Sequence, residues 1–151
     1  MDEIRPREMR ELLRSVHERM KQLPNCLGKN PYPLKHSFAD GLYIREISVP
    51  ATHLTITARH KKQNVTVVTK GKLSILEVSG EKFIEAPALF ITEAGTQRAI
   101  YHHTDVVLTT IHANPTNETD IDKLEDMIFA FDFEEPQEDN VIEIAVLEAK
   151  S

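Results

Sequence analysis

The feature that most constrains the fold is an alternation of apolar and polar residues with a period of two, which runs from residue 35 to residue 113. Because successive side chains of a strand point to opposite faces, this period indicates β-structure. Turn signals divide it at Asp40-Gly41, Pro50, Lys70-Gly71, Ser79-Gly80, Pro87 and Ala94-Gly95. We predict strands near 42–49, 53–60, 64–70, 73–78, 82–86, 88–92, 96–101 and 105–113. Short strands at such even spacing are typical of an all-β sandwich or barrel.

Both ends of the chain carry helical patterns instead. Apolar residues at helical spacing within 3–22 predict an amphipathic helix that packs on the protein body or on a second subunit. Within 115–131 we predict a loop and then a helix, because Thr119 and Asp122 resemble a capping box that starts at Thr119. Residues 141–149 have strand character, and we expect them to extend a sheet edge in this chain or in a neighbouring subunit.

Length and composition exclude several classes of function. With 151 residues, 40% hydrophobic and 28% charged, the chain is typical of one globular domain with its own core. A net charge of −6 argues against nucleic-acid binding, which needs a concentrated basic face. No apolar run approaches the roughly 18–20 residues that cross a bilayer, and the charged N-terminus has no secretory pattern. Cys26 is the only cysteine, which fits a reducing, cytoplasmic location.

Residues 58–71, ARHKKQNVTVVTKG, have the spacing of a known motif. The first motif of the cupin superfamily runs His-x-His, three or four residues, Glu, six residues, Gly. His60 occupies the second histidine position and Gly71 the glycine position, whereas Ala58 and Asn64 replace the first histidine and the glutamate. The region 42–113 therefore resembles the cupin superfamily, and this resemblance implies a small jelly-roll barrel.

The second cupin motif, Pro-x-Gly, two residues, His, three residues, Asn, is also partly present. In 93-EAGTQR-98, Gly95 is kept, Arg98 has the histidine position and His102 has the asparagine position. Ala58, Asn64 and Arg98 thus stand at three of the four positions that bind metal in cupins.

Longer segments, 34–50, 85–99 and 112–126, are similar to small cupin-like proteins of bacteriophages and prophages. This resemblance implies a phage setting, with the host cytoplasm as the location, rather than a particular activity. Cupins commonly form dimers, so we expect a homo-oligomer whose interface includes 1–22 and 117–151. Apolar residues on both faces of 64–70 predict that both faces are covered, by the terminal helices or by another subunit.

Metal chemistry is disfavoured by the residues at these motif positions. A catalytic metal usually needs three converging protein ligands. Ala58 cannot ligate, and Arg98 is a permanent cation that would repel a divalent ion. We therefore expect no cofactor, and the remaining metal hypothesis uses His60, His102 and His112.

A histidine-based enzyme is the next alternative, because some cupins are epimerases that use a His base and a Tyr acid. His60 and Tyr101 are the candidates. However, Tyr101 has the opposite strand parity from Arg98, so we expect it to point away from the interior. No carboxylate that could orient a base is apparent on the inward row.

A binding pocket without catalysis is the interpretation that we favour. We expect His60 to continue an inward row with Leu54, Ile56 and Ala58, and to meet Arg98 at the barrel mouth. The predicted ligand-binding residues are His60, Asn64, Arg98 and His102. Arginine offers a bidentate fork to a carboxylate or phosphate. The nearby basic residues Arg59, Lys61, Lys62, Lys70 and Lys72 are expected to add a positive field.

A competing interpretation pairs Arg98 with Glu93 or another carboxylate as a structural ion pair.

The sequence as a whole predicts a mainly β protein, a single cupin-like jelly-roll barrel with an N-terminal helix, a C-terminal helix and a short terminal strand. We divide it into the helix (1–22), the barrel (23–116) and an acidic extension (117–151).

Its predicted role is non-catalytic binding of a small anionic ligand, such as a phosphate- or carboxylate-bearing metabolite or a nucleotide. One alternative is a structural or virion-associated oligomer with a vestigial pocket. The other is a metal-dependent or epimerase-like enzyme.

Overall fold

The computed structural model describes residues 6–24, 26–28, 32–130 and 142–146. Residues 131–141 of the predicted acidic extension lie outside these ranges. The elements are α1 (Pro6–Lys21), β1 (Cys26–Gly28), β2 (Leu34–Ala39), β3 (Leu42–Val49), β4 (His53–Thr57), β5 (Arg59–His60), β6 (Asn64–Lys70), β7 (Lys72–Glu77), β8 (Gly80–Glu85), β9 (Ala88–Thr92), β10 (Ala99–His102), β11 (Val106–Ala113), α2 (Ile121–Ile128), β12 (Phe129–Ala130) and β13 (Ile142–Val146).

Two antiparallel sheets form the walls of the barrel. Sheet A has the order β1-β13-β4-β10-β7-β8, and sheet B has the order β2-β3-β11-β6-β9. A two-stranded ladder joins β12 to β5. The predicted terminal strand is present as β13, and it lies inside sheet A of its own chain, between β1 and β4.

Helix α1 covers the outer face of sheet A. Its buried residues Met9, Leu13 and Met20 form one apolar cluster with Ile56 and Ala99. Full burial of each such large apolar side chain contributes about 1.5–3 kcal/mol. The helix therefore belongs to the packed body of the protein. No helix in the part of the chain that the structure describes is long and apolar enough to cross a membrane.

The predicted single strand 53–60 is two strands, and its predicted inward row is wrong. Leu54 and Ile56 pack toward α1, whereas Thr55 and Thr57 line the barrel interior. The apolar face of β4 points outward because an amphipathic helix covers it there. Regular strand geometry stops at residue 58 and resumes in β5, which brings His60 back to the interior.

Helix α2 packs against β3 and against the residues next to β5. Leu124 and Ile128 are buried against Tyr43, Ala58 and Phe129. Ala58, which has the first histidine position of the cupin motif, is therefore part of an apolar contact.

The predicted N-cap of α2 was one residue too early. The side chain of Asp120, rather than that of Thr119, accepts hydrogen bonds from the backbone N–H groups of Asp122 and Lys123.

The outer face of sheet B carries apolar side chains. Leu89 and Ile91 lie opposite Val67 and Val65 in the ladder between β6 and β9, and they are 67% and 48% exposed. The described residues thus leave this part of the face open to solvent. A covering subunit stays a prediction.

Candidate functional site

The barrel interior contains a cavity with a volume of about 80 Å³. Its polar wall residues are Arg45, Thr55, Thr57, His60, Thr66, Arg98, His102 and Thr110, and its apolar ones are Ile47, Val49, Ile100, Leu108 and Phe129. The ladders of sheet B order these residues in rows. Arg45, Thr110 and Thr66 form one row across β3, β11 and β6, and Ile47 and Leu108 belong to the next row. The cavity is therefore polar at one level and apolar at the next.

Arg98 lies on the sheet A side of the cavity, just before β10. Its Nε donates a hydrogen bond of 2.7 Å to Oε2 of Glu77, and the side chains are 7% and 16% exposed. The guanidinium also lies 5.4 Å from the centre of the Phe90 ring. Arg98 thus forms a structural ion pair, with Glu77 rather than with the Glu93 named from the sequence, and it also belongs to the cavity wall.

Arg45 is the site residue that the sequence analysis missed. Its Nη1 donates to Oε1 of Glu125 at 3.0 Å, and its guanidinium lies 5.3 Å from the centre of the Phe129 ring. The signal was present in the alternation of β3, where Arg45 shares one face with Tyr43 and Ile47. An arginine in such a row is an inward cation.

His60 is buried and neutral. Its Nδ1 contacts the backbone oxygen of Thr96 at 3.2 Å, and because a carbonyl only accepts, Nδ1 carries the proton. Burial lowers the pKa of His60 to about 4, against the effect of the Thr96 hydrogen bond, and the charges of Arg98 and Arg45 lower it further. Both arginines therefore act electrostatically at the position of His60.

His102, which also lines the cavity, has the same arrangement. Its Nδ1 donates to the backbone oxygen of His53 at 2.9 Å, and burial lowers the pKa of His102 to about 4. His102 and Arg98 both lie in the cavity wall, with Ile100 between them along the chain. In each neutral histidine the Nε2 lone pair remains as an acceptor.

Asn64 and His112 are buried on the same side of sheet B as Thr66 and Thr110 of the cavity wall, each two residues away along its strand. Asn64 accepts a hydrogen bond of 3.1 Å from Thr66 Oγ1, while its Nδ2 has no partner among the described residues. His112 Nε2 is 2.8 Å from Thr110 Oγ1, and burial lowers the pKa of His112 to about 3. Of the predicted ligand-binding residues, the structure brings His60, Arg98 and His102 into one wall, and Asn64 supports that wall through Thr66.

The histidines named for the metal hypothesis, His60, His102 and His112, are not gathered into one ligand set. Among the described residues, no group of three or more His, Cys, Asp or Glu side chains is placed to hold a metal ion. Tyr101 packs against the His103 ring, with ring centres 4.9 Å apart, and is not in the cavity wall.

The basic residues of the 59–72 segment lie outside the cavity wall, and a positive field from them stays a prediction. None of the five belongs to the wall of the cavity that the described residues enclose. The Nζ of Lys61 donates to the Asp126 backbone oxygen, and Lys72 pairs with Glu85 at 3.8 Å on the surface. The positive charges of the wall are Arg45 and Arg98 instead.

Comparison with known proteins identifies the fold. No protein-family model matches the sequence, and no curated protein matches it either. Among solved structures, a mutant of salicylate 1,2-dioxygenase from Pseudoaminobacter salicylatoxidans matches with a TM-score of 0.52 and 12% identity, over 80% of this chain and 36% of that chain. Ectoine synthase from P. lautus matches with a TM-score of 0.50 and 8% identity, over 64% of this chain and 73% of that chain. A cupin-2 domain containing protein from Shewanella frigidimarina has a TM-score of 0.47 and 9% identity, over 66% and 92% of the two chains.

At such low identities these similarities show the fold alone. The fold class predicted from the sequence is confirmed: the protein is mainly β, a single cupin-like jelly-roll barrel with an N-terminal helix and a C-terminal helix followed by a short strand.

Proposed function

We propose that the protein binds a small anionic ligand inside the barrel, without catalysing its conversion. The observation that carries the proposal is that Arg45, in β3 of sheet B, and Arg98, just before β10 of sheet A, lie in the wall of one cavity. Two permanent cations at one buried site favour an anion, because guanidinium forks match carboxylate and phosphate oxygens.

The carboxylate partner of Arg98 leaves room for such a ligand. Glu77 is not in the cavity wall, so Arg98 contacts this carboxylate on one side and the cavity on the other. A guanidinium has five N–H donors, and one carboxylate does not use them all. The neutral histidines His60 and His102 add no competing charge, and they offer acceptors to a ligand hydroxyl or amine.

The size of the cavity limits the ligand. At about 10–15 Å³ for each water molecule, a cavity of about 80 Å³ holds about five to eight non-hydrogen atoms. A small carboxylate with a short apolar body fits this volume better than a whole nucleotide. Its carboxylate would lie at the level of Arg45 and Arg98, and its body on Ile100 and Leu108.

A groove outside the barrel offers the ligand a route to Arg98. This groove of about 560 Å³ is bordered by Glu77, Lys82, Gln97 and Arg98 itself. Arg98 is therefore shared between the groove and the interior cavity.

The proposal includes a phage or prophage origin, in which such binding would sequester a host metabolite. The resemblance of 34–50, 85–99 and 112–126 to phage and prophage proteins supports this part.

Calorimetry with acetate, 2-methylpropanoate, benzoate and inorganic phosphate tests the proposal. Arg98→Lys keeps the charge but loses the planar fork, so we expect it to weaken binding at least about tenfold, which is about 1.4 kcal/mol. Lys72→Met removes a positive charge outside the cavity and is the matched control, with unchanged affinity. Absence of binding at millimolar concentration of every anion would contradict the proposal, as would equal losses in the two variants.

A further inference from the structure

We infer that Glu125 is an internal competitor for the anion site at Arg45, and that ligand binding therefore weakens the attachment of residues 121–130 to the barrel. We call these residues, α2 and β12, the lid segment. The inference rests on the proposed function, since it describes how the same site is regulated.

The two arginines have carboxylate partners of different kinds. Glu77 belongs to β7, next to β10 in sheet A, and it also accepts hydrogen bonds from Ser79 Oγ and Lys82 Nζ. Glu125 belongs to an eight-residue helix outside both sheets, and its side chain is 27% exposed compared with 16% for Glu77. Its carboxylate binds Arg45 at 3.0 Å. Glu125 is therefore the partner that an incoming anion replaces more easily.

The lid segment is at the same time a wall of the cavity. Phe129 lines the cavity and lies under the guanidinium of Arg45. Its backbone pairs with that of His60, and the Ile128 carbonyl accepts a hydrogen bond of 2.7 Å from the N–H of Lys61. An anion bound at Arg45 thus meets the segment that carries Glu125.

Because Glu125 and the ligand compete for the guanidinium of Arg45, each of these two contacts weakens the other. A ligand carboxylate on Arg45 removes the ion pair that ties α2 to β3, while the apolar packing of Leu124 and Ile128 and the short β5–β12 ladder remain. By linkage, whatever weakens the contact of Glu125 strengthens ligand binding to the same degree. Local opening of the lid segment is then expected to increase when ligand binds.

The affinity experiment uses calorimetry with 2-methylpropanoate, a branched carboxylate of the size that the cavity holds, on the full chain. Glu125→Gln keeps the size of the side chain and removes its charge, so we expect about tenfold tighter binding. Asp126→Asn removes the same charge from the adjacent exposed position, and we expect its affinity to stay within twofold of the unmodified protein. Equal tightening by both variants would show a general charge effect and would overturn the inference.

Amide hydrogen exchange of the unmodified protein gives a second readout that needs no variant. We expect saturating 2-methylpropanoate to accelerate exchange within 121–130 and to slow it in β3 and β10. Slower exchange in 121–130 as well would overturn the coupling. If Glu125→Gln binds no tighter while Arg98→Lys still weakens binding, the inference fails and the proposed function stands. If neither the unmodified protein nor Glu125→Gln binds any anion of the calorimetric series, the proposed function itself fails.

Discussion

The Nε of Arg98 and the Oε2 of Glu77 are joined by a 2.7 Å hydrogen bond between largely buried side chains. Burial alone would raise the pKa of Glu77, but the hydrogen bond and charge of Arg98, with help from Ser79 and Lys82, hold that pKa below its usual value. A position that resembles a metal-binding histidine of the cupin motif thus carries one half of an ion pair. The cation belongs both to the framework and to the candidate site.

Arg98→Met is expected to lower the free energy of unfolding by about 3 kcal/mol, because it leaves the Glu77 carboxylate largely buried without its main partner. Lys82→Met is the matched control, since Lys82 also pairs with Glu77, at 3.5 Å, but is about half exposed. Such a surface pair contributes less than about 1 kcal/mol. Urea denaturation monitored by circular dichroism measures both values. Equal, small losses in the two variants would show that the Arg98 pair has no structural role.

Acid is expected to destabilise the protein below neutral pH. Burial lowers the pKa of both His60 and His102 from 6.5 to about 4. As the pH falls below 6.5, the unfolded chain takes up protons that the folded protein does not bind. The free energy of unfolding is therefore fully present above pH 6.5 and falls down to about pH 4, by at most about 1.4 kcal/mol per pH unit for each histidine.

Urea denaturation at pH 8, 7, 6 and 5 tests this dependence. His102→Gln is expected to reduce the fall in the free energy of unfolding between pH 6.5 and 5, because the unfolded chain then takes up one proton fewer. A free energy of unfolding that stays constant from pH 7 to pH 5 would contradict the neutral, buried state of these histidines.

The sequence predicted the elements of the barrel well where local signals were strong. The predicted strands 42–49, 64–70 and 88–92 coincide with β3, β6 and β9, because each has clear alternation between turn residues. Residues 34–39 were not predicted as a strand, although they form β2. Alternation shows which residues share a face, but it does not show which face is inside. This ambiguity is why Leu54 and Ile56 were assigned to the interior that Thr55 and Thr57 occupy.

The candidate site was only partly predictable, because its decisive contacts join distant parts of the chain. Arg98 meets a carboxylate 21 residues away, and Arg45 meets one 80 residues away. No local pattern distinguishes Glu77 or Glu125 from other acidic residues. Arg45 itself was within reach of strand parity. The cupin motifs contain no residue at the position of Arg45, so the resemblance does not indicate it.

Asp120→Ala is expected to lower the free energy of unfolding by about 1 kcal/mol, because the carboxylate of Asp120 accepts from the first N–H groups of α2. Thr119→Ala, at the position that the sequence predicted as the cap, is the control, with a change below about 0.5 kcal/mol. Thermal denaturation followed by circular dichroism distinguishes the two. A larger loss for Thr119→Ala would restore the cap that the sequence predicted.

Gly71 and Gly80 test whether the turn glycine of the cupin-like motif is required for its conformation or for space. Both have positive φ, 96° and 104°, so alanine is strained at either position. A Cβ at Gly71 would lie 2.2 Å from the Asp105 backbone oxygen, whereas a Cβ at Gly80 would meet nothing within 4 Å.

Gly80→Ala should therefore show only the backbone strain, about 1 kcal/mol, whereas Gly71→Ala should lose about 3 kcal/mol or more because the β6–β7 turn must also move away from Asp105. Urea denaturation of the two variants side by side measures the difference. If Gly71→Ala is too unstable to purify, its soluble yield relative to Gly80→Ala gives the same ranking. Indistinguishable losses would mean that the close approach of Gly71 to Asp105 does not constrain the fold, and that the motif glycine is needed only for its positive φ.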